Sequence, residues 1–316
     1  MPSFKIIIIL KQTSKYYLMR SNFINLFYGL FLAIFLSGCK DNSKEEALLP
    51  ERTLSEEFKA YWFNGEAEIT SYKLDQSRYG ESREGTAVLI YVTEEFLPEA
   101  QVKANTKSDK STPILKMNAT KNFNTGIYPY SIMQSTFYPL QGSSHALKIS
   151  ASIQEWCGHV YMQLNNRDGF KINSHSYFEG EADQDVTLSK THLENEVWTQ
   201  LRIDPELLPT GDISMIPSFE YLRLAHQEIK AYNALAEFYQ DGDWSVYKIS
   251  YHELKRDLKI YYLNIAPFTI EKWQEKTEVN GELFITTATK MKKIKSDYWN
   301  KNSNKDLHLR EQLNLN

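Results

Sequence analysis

Residues 66–96 read EAEITSYKLDQSRYGESREGTAVLIYVTEEF. From Glu66 to Lys73 the side chains of Ala67, Ile69, Ser71 and Lys73 alternate with those of Glu66, Glu68, Thr70 and Tyr72. Gly85 to Phe96 is dense in β-branched and aromatic residues, which suit a pleated, half-buried surface. Between them Asp75 to Ser82 is a polar loop containing Gly80. Two extended runs around a turn-rich loop predict a β-hairpin.

The same texture continues downstream. Ile114–Phe123, Tyr128–Tyr138, Ala146–Leu164 and Phe170–Phe178 read as extended, punctuated by Gly126, Pro129, Pro139 and Gly142. Glu194–Ile203 places Val197, Thr199, Leu201 and Ile203 on one side, again the period of a strand. Residues 204–211 (DPELLPTG) predict a turn or a single helical turn. Tyr221 to Tyr239 fits a helical face at Leu222, Ala225, Ile229, Tyr232, Leu235 and Tyr239. It runs into Asp241-Gly242, a hairpin signal, so its second half is read as a strand. Trp244–Tyr251, Leu258–Ile265, Pro267–Glu275 and Glu282–Ile294 complete the series. The expected fold is mainly β, an antiparallel sheet curled into a half-barrel or barrel with few helices, over residues 55–295. A polar tail, residues 296–316, is expected to fray around a short helix.

Upstream, Met19-Arg20-Ser21-Asn22 precedes a mostly apolar run, Phe23 to Leu36, that ends at Leu36-Ser37-Gly38-Cys39. A basic start, a short apolar middle and small residues before a cut describe a secretory signal. The run is about fourteen residues, short of the roughly 20 that a spanning helix needs. Leu-Ser-Gly-Cys resembles the lipobox of bacterial lipoproteins. That resemblance implies a signal peptide over 1–38, lipidation of Cys39 and a flexible tether over 39–54. It also implies attachment to a membrane through the lipid, on the periplasmic face or the outer surface of an outer membrane. Lys40-Asp41 resembles the export signal of surface lipoproteins in Bacteroidota.

Composition excludes some functions. A net charge of −4 leaves no basic footprint for nucleic acid. Of the two cysteines, Cys39 is assigned to lipid, so Cys157 has no partner for a disulfide or a zinc site. No GxSxG, P-loop, dinucleotide-binding or HExxH pattern occurs, and no cofactor or metal is expected.

The densest polar cluster is Gln154 to Leu164, QEWCGHVYMQL. Read as one strand, it puts Trp156, Gly158, Val160, Met162 and Leu164 on a core face. Glu155, Cys157, His159, Tyr161 and Gln163 then share the other face, a polar ridge whose residues are candidates to line a ligand site or to pack as structure. His159 beside Cys157 would favour a nucleophilic thiolate, with Glu155 as orienting group. A lone cysteine is more often a small buried residue with a protected thiol. Upstream, however, Leu147, Ile149, Ala151 and Ile153 put apolar residues on odd positions, and a bulge or turn near Glu155 would restore one continuous core face.

Glu155-Trp156-Cys157-Gly158-His159, together with Pro217 to Leu224 (PSFEYLRL), resembles a family of uncharacterised lipoproteins in Bacteroidota. The likeness spans most of residues 55–290. Members often carry the label "septum formation inhibitor Maf", but the Ser-x-Ser-Pro-Arg-Arg motif of the Maf pyrophosphatases is absent here. The closing strands from Leu258 to Trp273 are similar to those of the LolA-like half-barrels, which hold lipids. The expected function is therefore an envelope lipoprotein binding an apolar or amphipathic ligand or a partner protein. The alternative is an envelope enzyme using Cys157 and His159.

Overall fold

A computed structural model of the chain describes residues 52–315. The signal segment, Cys39 and most of the tether lie outside the described residues. Ser55 opens the ordered chain by capping helix α1 (Glu56–Trp62), its hydroxyl accepting from the Phe58 N–H at 3.1 Å. The hairpin of residues 66–96 follows as β1 (Ala67–Arg78) and β2 (Glu81–Leu97). Its turn, Tyr79-Gly80, has both φ angles positive (55° and 78°), as the tightest hairpins require.

After the two-residue β3 (Val102–Lys103) come β4 (Thr112–Thr125), β5 (Tyr128–Pro139), β6 (Lys148–Glu155), β7 (Gly158–Asn166), β8 (Phe170–Ser176) and β9 (Gln184–Leu188). Each pairs antiparallel with its predecessor, except that β4 pairs with β2. Then β10 (His192–Leu193) leads into helix α2 (Glu194–Ile203), and β11 (Gly211–Ile216) into helix α3 (Phe219–Leu224). The return runs through β12 (Tyr232–Asp241), β13 (Trp244–Tyr251), β14 (Arg256–Tyr262), β15 (Ile270–Val279) and β16 (Glu282–Ser296), which pairs with β1. The result is one sheet of sixteen strands with β9 and β10 at its two edges.

That order dictates the curvature. Leu188 and His192 are only four positions apart, so the edges stand no more than about 14 Å from each other. The sheet therefore curls almost round on itself. No hydrogen-bonded pairing joins β9 to β10, so it is open and not a barrel.

The concave face is packed solid. Tyr72, Leu74, Leu89, Tyr91, Ile149, Ile153, Met162, Phe170, Tyr247, Ile260 and Trp273 form one apolar cluster with Val197 and Leu201 of α2 and Phe219 and Leu222 of α3. A cavity between α2, the start of α3 and the strands beneath them holds about 40 Å³.

Three expectations are corrected. Glu194–Ile203 is a helix, not a strand. Every residue of it except Trp198 is buried, so no solvent face marks the helical period. Most of its polar side chains point inward to partners, Glu194 to Arg256, Asn195 to Gln134, Gln200 to Tyr138 and Arg202 to Glu68 on the sheet, and Glu196 to His145 beside it. Ala146–Leu164 is two strands joined by the turn Trp156-Cys157. That turn restores a single core face: odd positions are buried before it (Ile149, Ala151, Ile153) and even ones after it (Val160, Met162, Leu164). Trp156, expected in the core, is exposed at the turn. Finally, the C-terminal residues do not fray. Helix α4 (His308–Gln312) brings Leu313 and Leu315 onto Ala67, Ile69 and Val92, on a second, smaller apolar cluster. The Ser71 hydroxyl donates to the Leu313 carbonyl there.

Candidate functional site

Strand register places the turns Tyr79-Gly80, Gly126-Ile127, Trp156-Cys157, His252–Lys255 and Asn280-Gly281 at one end of the sheet. A cavity of about 670 Å³ opens there, between the β1–β2, β13–β14 and β15–β16 turns and the end of α3. Its floor comprises Glu220, Tyr221 and Glu275; its walls include Gln76, Arg78, Tyr79, Lys255, Glu278 and Thr286.

The floor is the outer layer of a buried charged network. The Arg256 guanidinium donates to both oxygens of Glu194 (2.5 and 2.7 Å), and its Nε donates to Glu275 at 2.6 Å. Tyr221 lies against the guanidinium at 4.2 Å, and the Tyr251 hydroxyl donates to Glu194 at 2.9 Å. Burial alone would raise the Glu275 carboxyl, but Arg256 and Lys121 outweigh it and hold it below the usual carboxylate range. Beside this group Lys121 Nζ donates to Glu220 at 2.7 Å, and Gln134 to its other oxygen at 2.9 Å. Asn195 of α2 donates in turn to Gln134 at 2.9 Å. Glu220 and Glu275 thus face the cavity while anchored to the packed interior.

Two groups at the cavity are less well provided for. Gln76 is 5% exposed and its amide nitrogen donates to Thr286 Oγ1 (3.1 Å), but its carbonyl oxygen has no partner. Arg78 donates to the Leu224 carbonyl (2.8 Å) and to the hydroxyls of Tyr79 and Tyr130 (3.3 Å each), all of them neutral. It forms no ion pair among the described residues.

Aromatic side chains gather at the same end. The Tyr79 and Tyr130 hydroxyls are 2.8 Å apart. Tyr130 neighbours Tyr128 at 6.0 Å between ring centres, and Tyr128 neighbours Trp156 at 6.3 Å. Tyr177 packs against Gly158, where an added Cβ would stand 3.0 Å from its ring. Tyr79, Ile127, Trp156 and Tyr177 are 60, 85, 68 and 79% exposed.

The residues singled out by sequence sit elsewhere. Cys157 is exposed in the turn, not buried. Its neighbour is the Glu155 carboxylate, which accepts the Cys157 N–H at 2.6 Å and pushes the thiol above its ordinary value through a hydrogen bond and its charge. That is the opposite of activation. His159 lies on the outer face of β7 and makes no hydrogen bond to Cys157 among the described residues. Tyr161 and Gln163 share that outer face, the phenol donating to the amide oxygen at 2.8 Å. None of Glu155, Cys157, His159, Tyr161 and Gln163 lines the cavity. Sequence reading missed Gln76 and Arg78 because it placed them in a polar loop from Asp75 to Ser82, whereas β1 continues to Arg78 and only Tyr79-Gly80 forms the turn. Glu220 fell within the quoted PSFEYLRL segment, but nothing there signalled its burial. No cluster of three or more potential metal ligands occurs among the described residues. Comparison with known protein families, with curated proteins and with solved structures gave no match.

Proposed function

We propose that this chain is a lipid-anchored envelope protein of the bacterial lipoprotein type that binds an amphipathic ligand at the open end of its sheet. The observation that carries the reading is the continuity of a polar cavity of about 670 Å³ with a rim of exposed aromatics through Tyr79. Ligand sites pair apolar contact surface with a few fixed polar groups. Here the rings of Tyr79, Tyr128 and Trp156 supply the first, and Gln76, Arg78 and Glu220 the second. A purely apolar ligand held inside the hollow is disfavoured, because α2 and α3 already occupy that space. The Leu36-Ser37-Gly38-Cys39 motif supports the anchor, and the resemblance to lipoproteins of Bacteroidota supports an outer-membrane location.

Two experiments test this. Cys39→Ser is expected to release the protein from the membrane fraction or leave an unprocessed precursor; a mature, membrane-bound variant would refute the anchor. A fluorescent naphthylamine dye is expected to bind saturably, at one dye per chain, to the Cys39→Ser protein. Ala225→Trp, which fills the cavity at the end of α3, is expected to abolish that binding. Unchanged binding by a folded Ala225→Trp variant would refute the cavity as the site.

A further inference from the structure

We infer that the cavity recognises an anionic headgroup, with Arg78 as the residue that selects it, so that the ligand is an anionic amphiphile such as an alkyl phosphate, sulfate or carboxylate. This rests on the amphipathic-ligand reading above and adds the charge of the ligand.

Four carboxylates line the cavity, and each meets a cation, although two of those cations are shared with a further carboxylate. Glu220 is met by Lys121 at 2.7 Å, Glu278 by Lys255 at 2.7 Å, and Glu275 by Arg256 at 2.6 Å, a guanidinium that also holds Glu194. Glu253 reaches Lys230 at 3.7 Å, which Glu228 meets more closely at 3.1 Å. Of the basic side chains, Lys255 is taken by Glu278, and His226 by Glu181 at 2.7 Å. Arg78 remains. Its guanidinium lies over the Tyr79 ring at 4.4 Å and near the Tyr130 ring at 5.4 Å. Ring faces and hydroxyls orient a cation without neutralising it. The Arg78 Nε is buried and has no acceptor.

The surroundings add a preference for an oxyanion. A planar guanidinium matches the paired oxygens of carboxylate, sulfate or phosphate. The Tyr79 and Tyr130 hydroxyls, 2.8 Å apart, can turn toward the same oxygens. Tyr79 holds a left-handed backbone (φ 55°), which is uncommon for a bulky residue, and its ring lies across the guanidinium. An anion here is flanked by the Tyr79–Tyr130–Tyr128–Trp156 row, where an alkyl or aryl body can lie.

The test compares two dyes on the Cys39→Ser protein: 8-anilinonaphthalene-1-sulfonate, and N-phenyl-1-naphthylamine, which has the same rings without the sulfonate. The sulfonate is expected to bind at least tenfold more tightly. Arg78→Gln is expected to weaken the sulfonate dye at least tenfold more than the neutral dye, which removes that preference, and Arg78→Lys to retain part of it. Equal affinities in the unmodified protein, or an Arg78→Gln variant that weakens both dyes alike, would overturn the inference and leave the amphipathic site standing. A protein that binds neither dye overturns both. Should Arg78→Gln fail to fold, displacement from the unmodified protein decides the matter. Monododecyl phosphate is expected to displace the sulfonate dye at least tenfold more effectively than dodecyl maltoside or inorganic phosphate. Equal potency of the maltoside would overturn the anionic assignment, and equal potency of inorganic phosphate the amphiphile.

Discussion

Arg202 of helix α2 donates two parallel hydrogen bonds to the Glu68 carboxylate of β1, at 2.7 and 2.9 Å, across 134 positions of sequence. Both side chains are almost wholly buried. The Tyr61 hydroxyl also donates to Glu68, and the Trp62 and Tyr91 rings flank the guanidinium at 5.1 and 4.7 Å. This pair fastens the C-terminal end of α2 to the sheet, as the Glu194–Arg256 pair fastens its start.

Breaking such a pair from one side leaves a buried charge, which costs about 3–5 kcal/mol. Glu68→Gln is therefore expected to lower the unfolding free energy by about that much. The double variant Glu68→Gln, Arg202→Met is expected to recover a large part of it. Urea denaturation checks both, and a double variant no better than Glu68→Gln would show that the pair does not act as a unit. Burial alone would raise the Glu68 carboxyl, but Arg202, with help from Tyr61 and Lys293, brings it down to about 2. Its folded pKa is depressed, so its stabilisation is complete above the unfolded value near 4.5 and is lost as the pH falls from there toward 2.

A second pH response lies higher. Burial holds the His192 imidazole below its ordinary value, with His145 adding to the lowering and Glu196 opposing it. The unfolded state thus binds the proton more readily, and stability is expected to decline as the pH falls below about 6.5. The urea midpoint measured between pH 7.5 and 5.5 should drop for the parent protein and drop less for His192→Gln. Identical slopes would remove His192 from the account.

Cys157 should behave as an accessible but unactivated thiol. In the Cys39→Ser protein it is the remaining cysteine. Native labelling with a disulfide reagent is expected to go to completion, with a rate–pH midpoint above that of a free thiol because Glu155 disfavours the thiolate. Glu155→Gln should move that midpoint down and speed labelling at neutral pH. A midpoint below about 8 in the parent protein would instead point to the nucleophile reading of Cys157 and His159.

The C-terminal residues should matter for stability. Leu313 is buried against Ala67, Ile69 and Val92. Leu313→Ala is expected to cost about 2 kcal/mol, and Leu313→Asp more. Thermal unfolding of either variant at the parent temperature would mean that the tail contributes nothing to the sheet it covers.

Residues 66–96 alone were enough to predict a hairpin, and the recurrence of their texture predicted an antiparallel β fold. Strand alternation is a local property, set by which side of a pleat each residue faces, so it survives in the linear order of residues. The switch from odd to even apolar positions around Glu155 marked the turn at Trp156-Cys157 for the same reason. The lipobox motif is likewise local.

What only the tertiary structure decided is whatever depends on residues distant in sequence. The alternation of Val197, Thr199, Leu201 and Ile203 read as a strand because a helix enclosed on all sides has no polar face to reveal its period. Its Glu194, Asn195, Glu196 and Arg202 are held by Arg256, Gln134, His145 and Glu68, each at least 51 positions away in sequence. Leu313 and Leu315 looked like part of a polar tail because their partners lie more than two hundred positions away. The cavity is assembled from three hairpin turns and a helix end. A turn rich in Gly, Asp, Glu and Lys reads as solvent-facing whether or not others close over it. Arg78 stands out only because the other basic side chains that line the cavity, Lys255 and His226, each meet a carboxylate and it does not. Such pairing is a property of distances, and the order of residues does not encode distances.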